Sequence, residues 1–244
     1  MTERNAAYDA LAGWFEYLND DCGYEEWSQY LLAVLKNYGA GRTGVDLGCG
    51  SGYFTRALAG AGYDVVGLDV SAAMLSEGAE RARAAGLQIP FVQGDVTSFS
   101  LPRKVDFAVA VNDCFSYVPK EKLLAAFRRV GGALKRGGLF FFDVSSPAKL
   151  TALPPVSIDD REDVTYIAFN RLQGEEVTME VSLFVRRQDG AYVRRDETHT
   201  QYVYDAEELL FSLSLAGFEP LFYTGHLGAD AEGSDRLEFL ARKL

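Results

Sequence analysis

Between residues 43 and 144, short apolar runs alternate with amphipathic stretches, and this alternation leaves few folds open. TGVDLG, YDVVGLDV, IPFVQGDV, VDFAVAVND and LFFFDV read as five strands. YFTRALAGAG reads as a short helix ended by glycine, and AAMLSEGAERARAAG as a second helix, with Ser71 at its N-cap. A third is expected from Pro119 to about Lys135, closed by Gly137-Gly138. VDFAVAVND is apolar nearly throughout, as a strand covered on both faces must be. Strands separated by single helices imply a parallel sheet with right-handed crossovers.

After Pro147 the pattern changes. DVTYIAFNR, EEVTMEVSLFVRR and AYVRRDETHTQYVY are strand-like with no helix between them, and Asp189-Gly190 is a hairpin turn signal. An antiparallel subsheet is expected. Asp205 and Glu208 have the spacing of a capping box for the helix AEELLFSLSLAG. FEPLFYTG and RLEFLARKL read as two closing strands of the main sheet. The first forty residues read as helical and are rich in aromatics, among them Tyr8, Trp14, Phe15, Tyr24 and Trp27. Core packing is the default for these side chains; a lid over a ligand is the other use. Trp27 fits either.

The loop VDLGCGSG, residues 45–52, joins the first strand to the first helix, where open parallel sheets bind ligands. A pyrophosphate fingerprint needs Gly-x-Gly-x-x-Gly. Here the third glycine comes one place early, which disfavours a dinucleotide, and no Gly-Lys-Ser/Thr follows. Asp46 stands two residues before Gly48, where a carboxylate would repel pyrophosphate but suit an ammonium group, directly or through water. Asp69 ends the second strand, where a carboxylate can accept ribose hydroxyls. Asp95 ends the third, within reach of an adenine amino group. Three acids at three successive strand ends fit a cationic nucleoside without phosphate.

These stretches, with VVGLDVSAAML, FVQGDV and LKRGGLFFFDV in the same order, resemble the class I S-adenosylmethionine-dependent methyltransferases over residues 43 to 144. YDALAGWFEYLNDDCGYEEWSQYL, NDCFSYV, FFDVSSPAKL and RRDETHTQYVY further resemble a bacterial YqeM-like subgroup, with a looser likeness to sugar N,N-dimethyltransferases. The resemblance implies an α/β fold: a Rossmann-like, doubly wound, mostly parallel seven-stranded sheet with an antiparallel β subsheet inserted after strand 5. Residues 1–42 would be a helical lid, 43–147 and 205–244 the cofactor-binding core, and 148–204 the substrate-side insertion. It implies S-adenosyl-L-methionine as methyl donor, with no metal. Asp46 would help hold the methionine amino group, with Gly48, Cys49 and Gly50 passing along the ligand. Asp69 would hold the ribose, Val70 and Met74 would sandwich the adenine, and Asp95 and Val96 would meet its edge. The competing roles are core packing for Met74 and a turn cap for Asp95. Asn112, Asp113 and Cys114 would border the methionine moiety and the acceptor. Tyr8, in a Tyr-Asp pair, would cap the methionine end. NDCF lacks the prolines of the amino-methylating DNA enzymes, which argues against DNA base methylation.

Methyl transfer to a nitrogen or oxygen is an in-line displacement, and a base is optional. His199 is the candidate base and Asp113 a second catalytic candidate; a strand histidine bonded to Glu197 is the plainer role. The net charge of −11 disfavours nucleic acid and anionic membranes and favours a small-molecule acceptor. The arginines of VRRQDGAYVRR, 185–195, read as a solvated hairpin. RNA or protein methylation, and a non-catalytic S-adenosylmethionine-binding module, are the alternatives. Three scattered cysteines suggest a reducing compartment rather than a disulfide framework. No apolar run has the length of a membrane span and the N-terminus has no signal pattern, so a cytoplasmic location is expected. Monomer and homodimer both stay open.

Overall fold

A computed structural model describes Tyr8 and residues 10–244; Asp9, the second member of the Tyr-Asp pair, lies outside the described residues. Two short helical pieces come first, α1 (Phe15–Leu18) and α2 (Tyr24–Asn37). Then β1 (Thr43–Leu47), α3 (Tyr53–Gly60), β2 (Asp64–Asp69), α4 (Ala72–Ala84), β3 (Phe91–Gln93) and β4 (Val105–Ala110) alternate as the hydrophobic pattern requires. A 3-10 turn (Cys114–Tyr117) leads to α5 (Lys120–Ala133), β5 (Leu134–Ser145) and α6 (Pro147–Thr151). Four strands follow, β6 (Val156–Asp160), β7 (Val164–Gln173), β8 (Glu176–Arg186) and β9 (Tyr192–Tyr202), and α7 (Ala206–Leu215), β10 (Phe218–Gly225) and β11 (Arg236–Lys243) close the chain.

The main sheet has seven strands in the order β10-β11-β5-β4-β1-β2-β3. All neighbours are parallel except β11, which runs antiparallel between β5 and β10. The strand order reverses between β1 and β4, and the crevice for a ligand opens at their carboxyl ends. Successive phenylalanines of β5 alternate faces, as a strand dictates. Phe140 and Phe142 pack with α5 and α7, and Phe141 packs on the other side with α2 and α3. Trp27, 1% exposed, belongs to that second cluster; it is a core residue.

The remaining strands form a separate antiparallel sheet, β6-β7-β8-β9. Its β6 alternates exposed and half-buried residues at the sheet edge, and this short, polar strand carries too little apolar signal to read from sequence. The hairpin at Asp189-Gly190 forms, with Gly190 left-handed, and its arginines are exposed. Val164, Ala168, Val181 and Leu183 are buried under Ala10 and Leu11, so the N-terminal segment covers this second sheet as well as the first.

Two local expectations are corrected. Gly137 and Gly138 do not end α5, which stops at Ala133; they form an irregularity inside β5, where register slips between Val105↔Leu134 and Phe107↔Leu139. Gly138 passes so close to β4 that a Cβ would lie 2.9 Å from the Asp106 carbonyl oxygen. The capping box at Asp205 and Glu208 is also missing: Asp205 makes no side-chain cap, and Glu208 instead accepts from Lys120 Nζ at 2.9 Å. An available cation outcompetes a backbone N–H for that carboxylate. Ser71 does cap α4, accepting from Met74 N at 3.2 Å.

Candidate active site

The glycine loop leaves β1 with Gly48 left-handed, and a Cβ there would sit 2.5 Å from Cys114 Sγ. Only glycine satisfies both the backbone and the space. Gly50 N donates to Asp69 Oδ2 at 2.9 Å, and Ser71 N donates to Asp69 Oδ1 at 2.9 Å. The loop after β1 is thereby tied to the end of β2. Beneath and beside it lies a cavity of about 240 Å³. Its walls include Gly48, Cys49 and Gly50 from the loop and Asp69, Val70 and Met74 from the β2 end. Asp95 and Val96 line it after β3, Asn112 and Cys114 after β4, and Tyr8 closes it from above. Phe15 and Tyr24 join them from the aromatic-rich N-terminal segment that fits either core or lid, and so does Tyr117, which nothing in the sequence distinguished from a core aromatic.

Two expected residues stand elsewhere. Asp46 does not line the cavity. It is buried under the loop and accepts from Thr55 Oγ1 at 2.6 Å. Burial raises its pKa to about 7 against the pull of the Thr55 bond, and the charge of Asp69 adds to the rise. Asp113 is likewise turned away, because its carboxylate pairs with Arg236 Nη2 at 3.0 Å; that pairing holds its pKa below the usual range despite burial. A carboxylate so engaged is not poised as a base. Asp95 does line the cavity and also accepts from Thr97 N and Oγ1, both at 2.7 Å, so it caps a turn while facing the ligand space. Burial raises the Asp69 carboxyl and pushes both Cys49 and Cys114 thiols well up, so the thiols stay neutral.

The turn after β4 is held by a buried ionic cluster. Asn112 and Asp113 are both left-handed, at φ 69° and 70°, a conformation that Asn and Asp tolerate better than other side-chain-bearing residues. Both backbone N–H groups donate to Asp143, at 2.6 and 3.0 Å. Arg236 Nη1 bonds Asp143 Oδ2 in turn. Burial drives the Asp143 carboxyl up to about 6, with the Arg236 charge resisting. A charge inside the apolar run FFFDV is the sequence sign of such a buried pair.

A second cavity, of about 300 Å³, adjoins the first and shares Tyr8, Phe15 and Tyr117 with it. Its far wall is the β insertion, with Tyr166, Met179 and His199. Tyr8 Oη donates to Tyr117 Oη at 2.6 Å, Tyr117 Oη lies 3.3 Å from His199 Nδ1, and His199 Nε2 lies 2.8 Å from Glu197 Oε1. Glu197 Oε2 accepts from Ala10 N at 3.0 Å. The histidine–Glu197 bond was expected; its continuation through two tyrosines was not. Burial raises both phenols, so Tyr8 and Tyr117 are neutral donors.

A methyltransferase domain pattern matches residues 45–138, the glycine loop through the start of β5. The whole chain aligns with a methyltransferase-family protein of Geobacillus sp. (strain WCH70), 31% identical over 97% of this chain and 99% of that one. It aligns equally with the methyltransferase-family protein YqeM of Bacillus subtilis (strain 168), 31% identical over 97% of each. The chain belongs to this family. It is an S-adenosylmethionine-dependent methyltransferase. The crystal structure of such a methyltransferase from Clostridium acetobutylicum superposes with a TM-score of 0.88 at 25% identity, covering 98% of this chain and 99% of that one. The sugar N-methyltransferase KedS8 from Streptoalloteichus shares the fold, with a TM-score of 0.80 at 21% identity over 100% and 95% of the two chains.

The cavity of this methyltransferase fits its family's cofactor. Two carboxylates and one lysine line it, and a third carboxylate lies under the loop, a balance suited to a sulfonium nucleoside and not to a polyphosphate. The described residues contain no group of three or more His, Cys, Asp or Glu that would hold a metal, and none of their helices is long and apolar enough to cross a membrane.

Proposed function

We propose that this methyltransferase acts in the cytoplasm on a small-molecule acceptor, methylating a nitrogen or oxygen atom in the second cavity. The observation that carries the reading is the pair of adjoining cavities with Tyr8, Phe15 and Tyr117 as their common wall. A cofactor in the first and an acceptor in the second would meet there, and in-line displacement needs little more than alignment and exclusion of water.

The sheet order β3-β2-β1-β4 supports one orientation of the ligand along the strand ends. Asp95 and Val96 would meet the adenine edge, Val70 and Met74 would sandwich the ring, and Asp69 would hold the ribose hydroxyls. The amino-acid end would lie by Gly48, Cys49, Gly50 and Asn112, with Asp46 beneath the loop. S-adenosylmethionine supplies, when bound, an electrophilic methyl carbon on a sulfonium sulfur. The protein supplies a proton path. In this path Glu197 accepts from Ala10 N and from His199 Nε2, so Nδ1 accepts from Tyr117, which accepts from Tyr8. The whole chain donates toward Glu197, leaving a Tyr8 lone pair to receive a proton from the acceptor. His199 is the base in this reading, acting through the tyrosines, and Asp113 has a holding role.

The small-molecule reading also draws on KedS8, named a sugar N-methyltransferase, and CalS10, an amino pentose methyltransferase, which share this fold over the whole chain. The test is transfer of a labelled methyl group from the cofactor into small-molecule, RNA and protein fractions of a cell extract. Label in the small-molecule fraction is expected. Label confined to RNA or protein, or no turnover with cofactor bound, sinks the reading.

A further inference from the structure

Arg236 lies at the start of β11 and is buried. Its guanidinium lies over the Trp27 ring, 4.5 Å from the centroid. Nη1 bonds Asp143, and Nη2 donates to Asp113 Oδ2 at 3.0 Å and to Asn112 Oδ1 at 3.3 Å. A guanidinium has donors only, so the Asn112 atom facing it must be the oxygen. The flip of this amide is therefore fixed by its neighbour. Asn112 Nδ2 is left with no hydrogen-bond partner among the described residues, on a side chain that lines the cofactor cavity.

We infer that Arg236 is a positioning residue that turns Asn112 into an obligate hydrogen-bond donor for the carboxylate of the cofactor's amino-acid end. The inference rests on the cofactor orientation proposed above. An NH2 group whose oxygen is already engaged complements a carboxylate and not an ammonium. The backbone supports the same assignment. The two left-handed residues have their N–H groups committed to Asp143, so the turn offers the ligand the Asn112 side chain in one setting. Arg236 starts a strand that lies three places from β1 across the sheet, and it touches the ligand space only through this amide.

The experiment compares two ligands, S-adenosylhomocysteine and 5′-methylthioadenosine, which lacks the amino and carboxylate groups. Calorimetry is run on wild type, Asn112→Asp and Arg236→Lys. Asn112→Asp keeps an oxygen for Arg236 and removes the donor. Both variants are expected to weaken S-adenosylhomocysteine about tenfold or more, the range for a lost bond to a charged group. Both should bind methylthioadenosine within about twofold of wild type, and the double variant should be no worse than the poorer single one. Asn112→Asp binding S-adenosylhomocysteine as well as or better than wild type overturns the inference, as does an equal loss for both ligands. Wild type binding neither ligand refutes instead the cofactor reading beneath it. Because Asn112→Asp leaves Arg236 paired, it carries the test even where Arg236→Lys folds poorly.

Discussion

At the scale of single residues, the chemistry divides between groups that face the ligand and groups that hold them. Asp69 faces the cavity; Asp46 sits underneath, and its burial has a measurable consequence. Its pKa is raised to about 7 from 3.8. Between those values the folded state binds a proton that the unfolded state has lost, so stability from this group falls as pH rises from about 4 to 7. Asp46→Asn removes the dependence. In apo protein, the melting temperature of wild type should fall relative to Asp46→Asn by on the order of 5 to 10 °C across that window. Parallel melting profiles would show that Asp46 is not protonated in the fold. Sequence located Asp46, Asp69 and Asp95 at their strand ends because such positions follow from periodicity alone. It did not tell a carboxylate in the cavity from one below it, since that depends on which way a side chain leaves a loop.

At the scale of elements, the N-terminal segment joins three parts of the molecule. Tyr8 and Phe15 line both cavities, and Ala10 and Leu11 cover the insertion. Glu16 of α1 accepts from Ser51 Oγ at 2.5 Å, Arg56 Nη2 at 3.0 Å and Arg81 Nη1 at 3.1 Å, fastening the segment beside the glycine loop. Tyr8 and Phe15 of the same segment line the cavity, so the Glu16 contacts hold part of its wall in place. Glu16→Ala is expected to speed S-adenosylhomocysteine release several-fold in stopped-flow experiments, and salt should move wild type toward the variant. Identical release rates would mean that the segment does not gate the cavity. The insertion supplies His199 and Glu197 on one face of β9, opposite Met179 and Val181 of β8. Tyr117→Phe breaks the path between them and Tyr8. Turnover on an identified acceptor should fall about 10- to 100-fold, by more than cofactor affinity does, because Phe keeps the ring in the cavity wall, and unaltered turnover would remove the path from the mechanism. The helices and strands of the core were legible because each is a complete period of burial. Glu197 was legible as a partner of His199, two residues away on the same strand; Tyr117 was not, because it is 82 residues from His199 and they meet only through the packing of two sheets.

At the scale of the whole molecule, strand order does the organising. The reversal between β1 and β4 opens the crevice, and β11, antiparallel beside β5, brings Arg236 under the turn after β4. That pairing is the part of the site hardest to foresee, since RLEFLARKL reads as an ordinary closing strand. The signal that was present, an aspartate inside FFFDV, announces a buried charge without naming its partner. In this crevice Asp69 is proposed to hold the ribose of the family's cofactor. Calorimetric titration of S-adenosylhomocysteine into wild type and Asp69→Ala tests it directly. Wild type should show one site per chain, and the variant an affinity at least tenfold weaker, because it loses charge-assisted hydrogen bonds. No binding by wild type, or equal affinity in the variant, would contradict it.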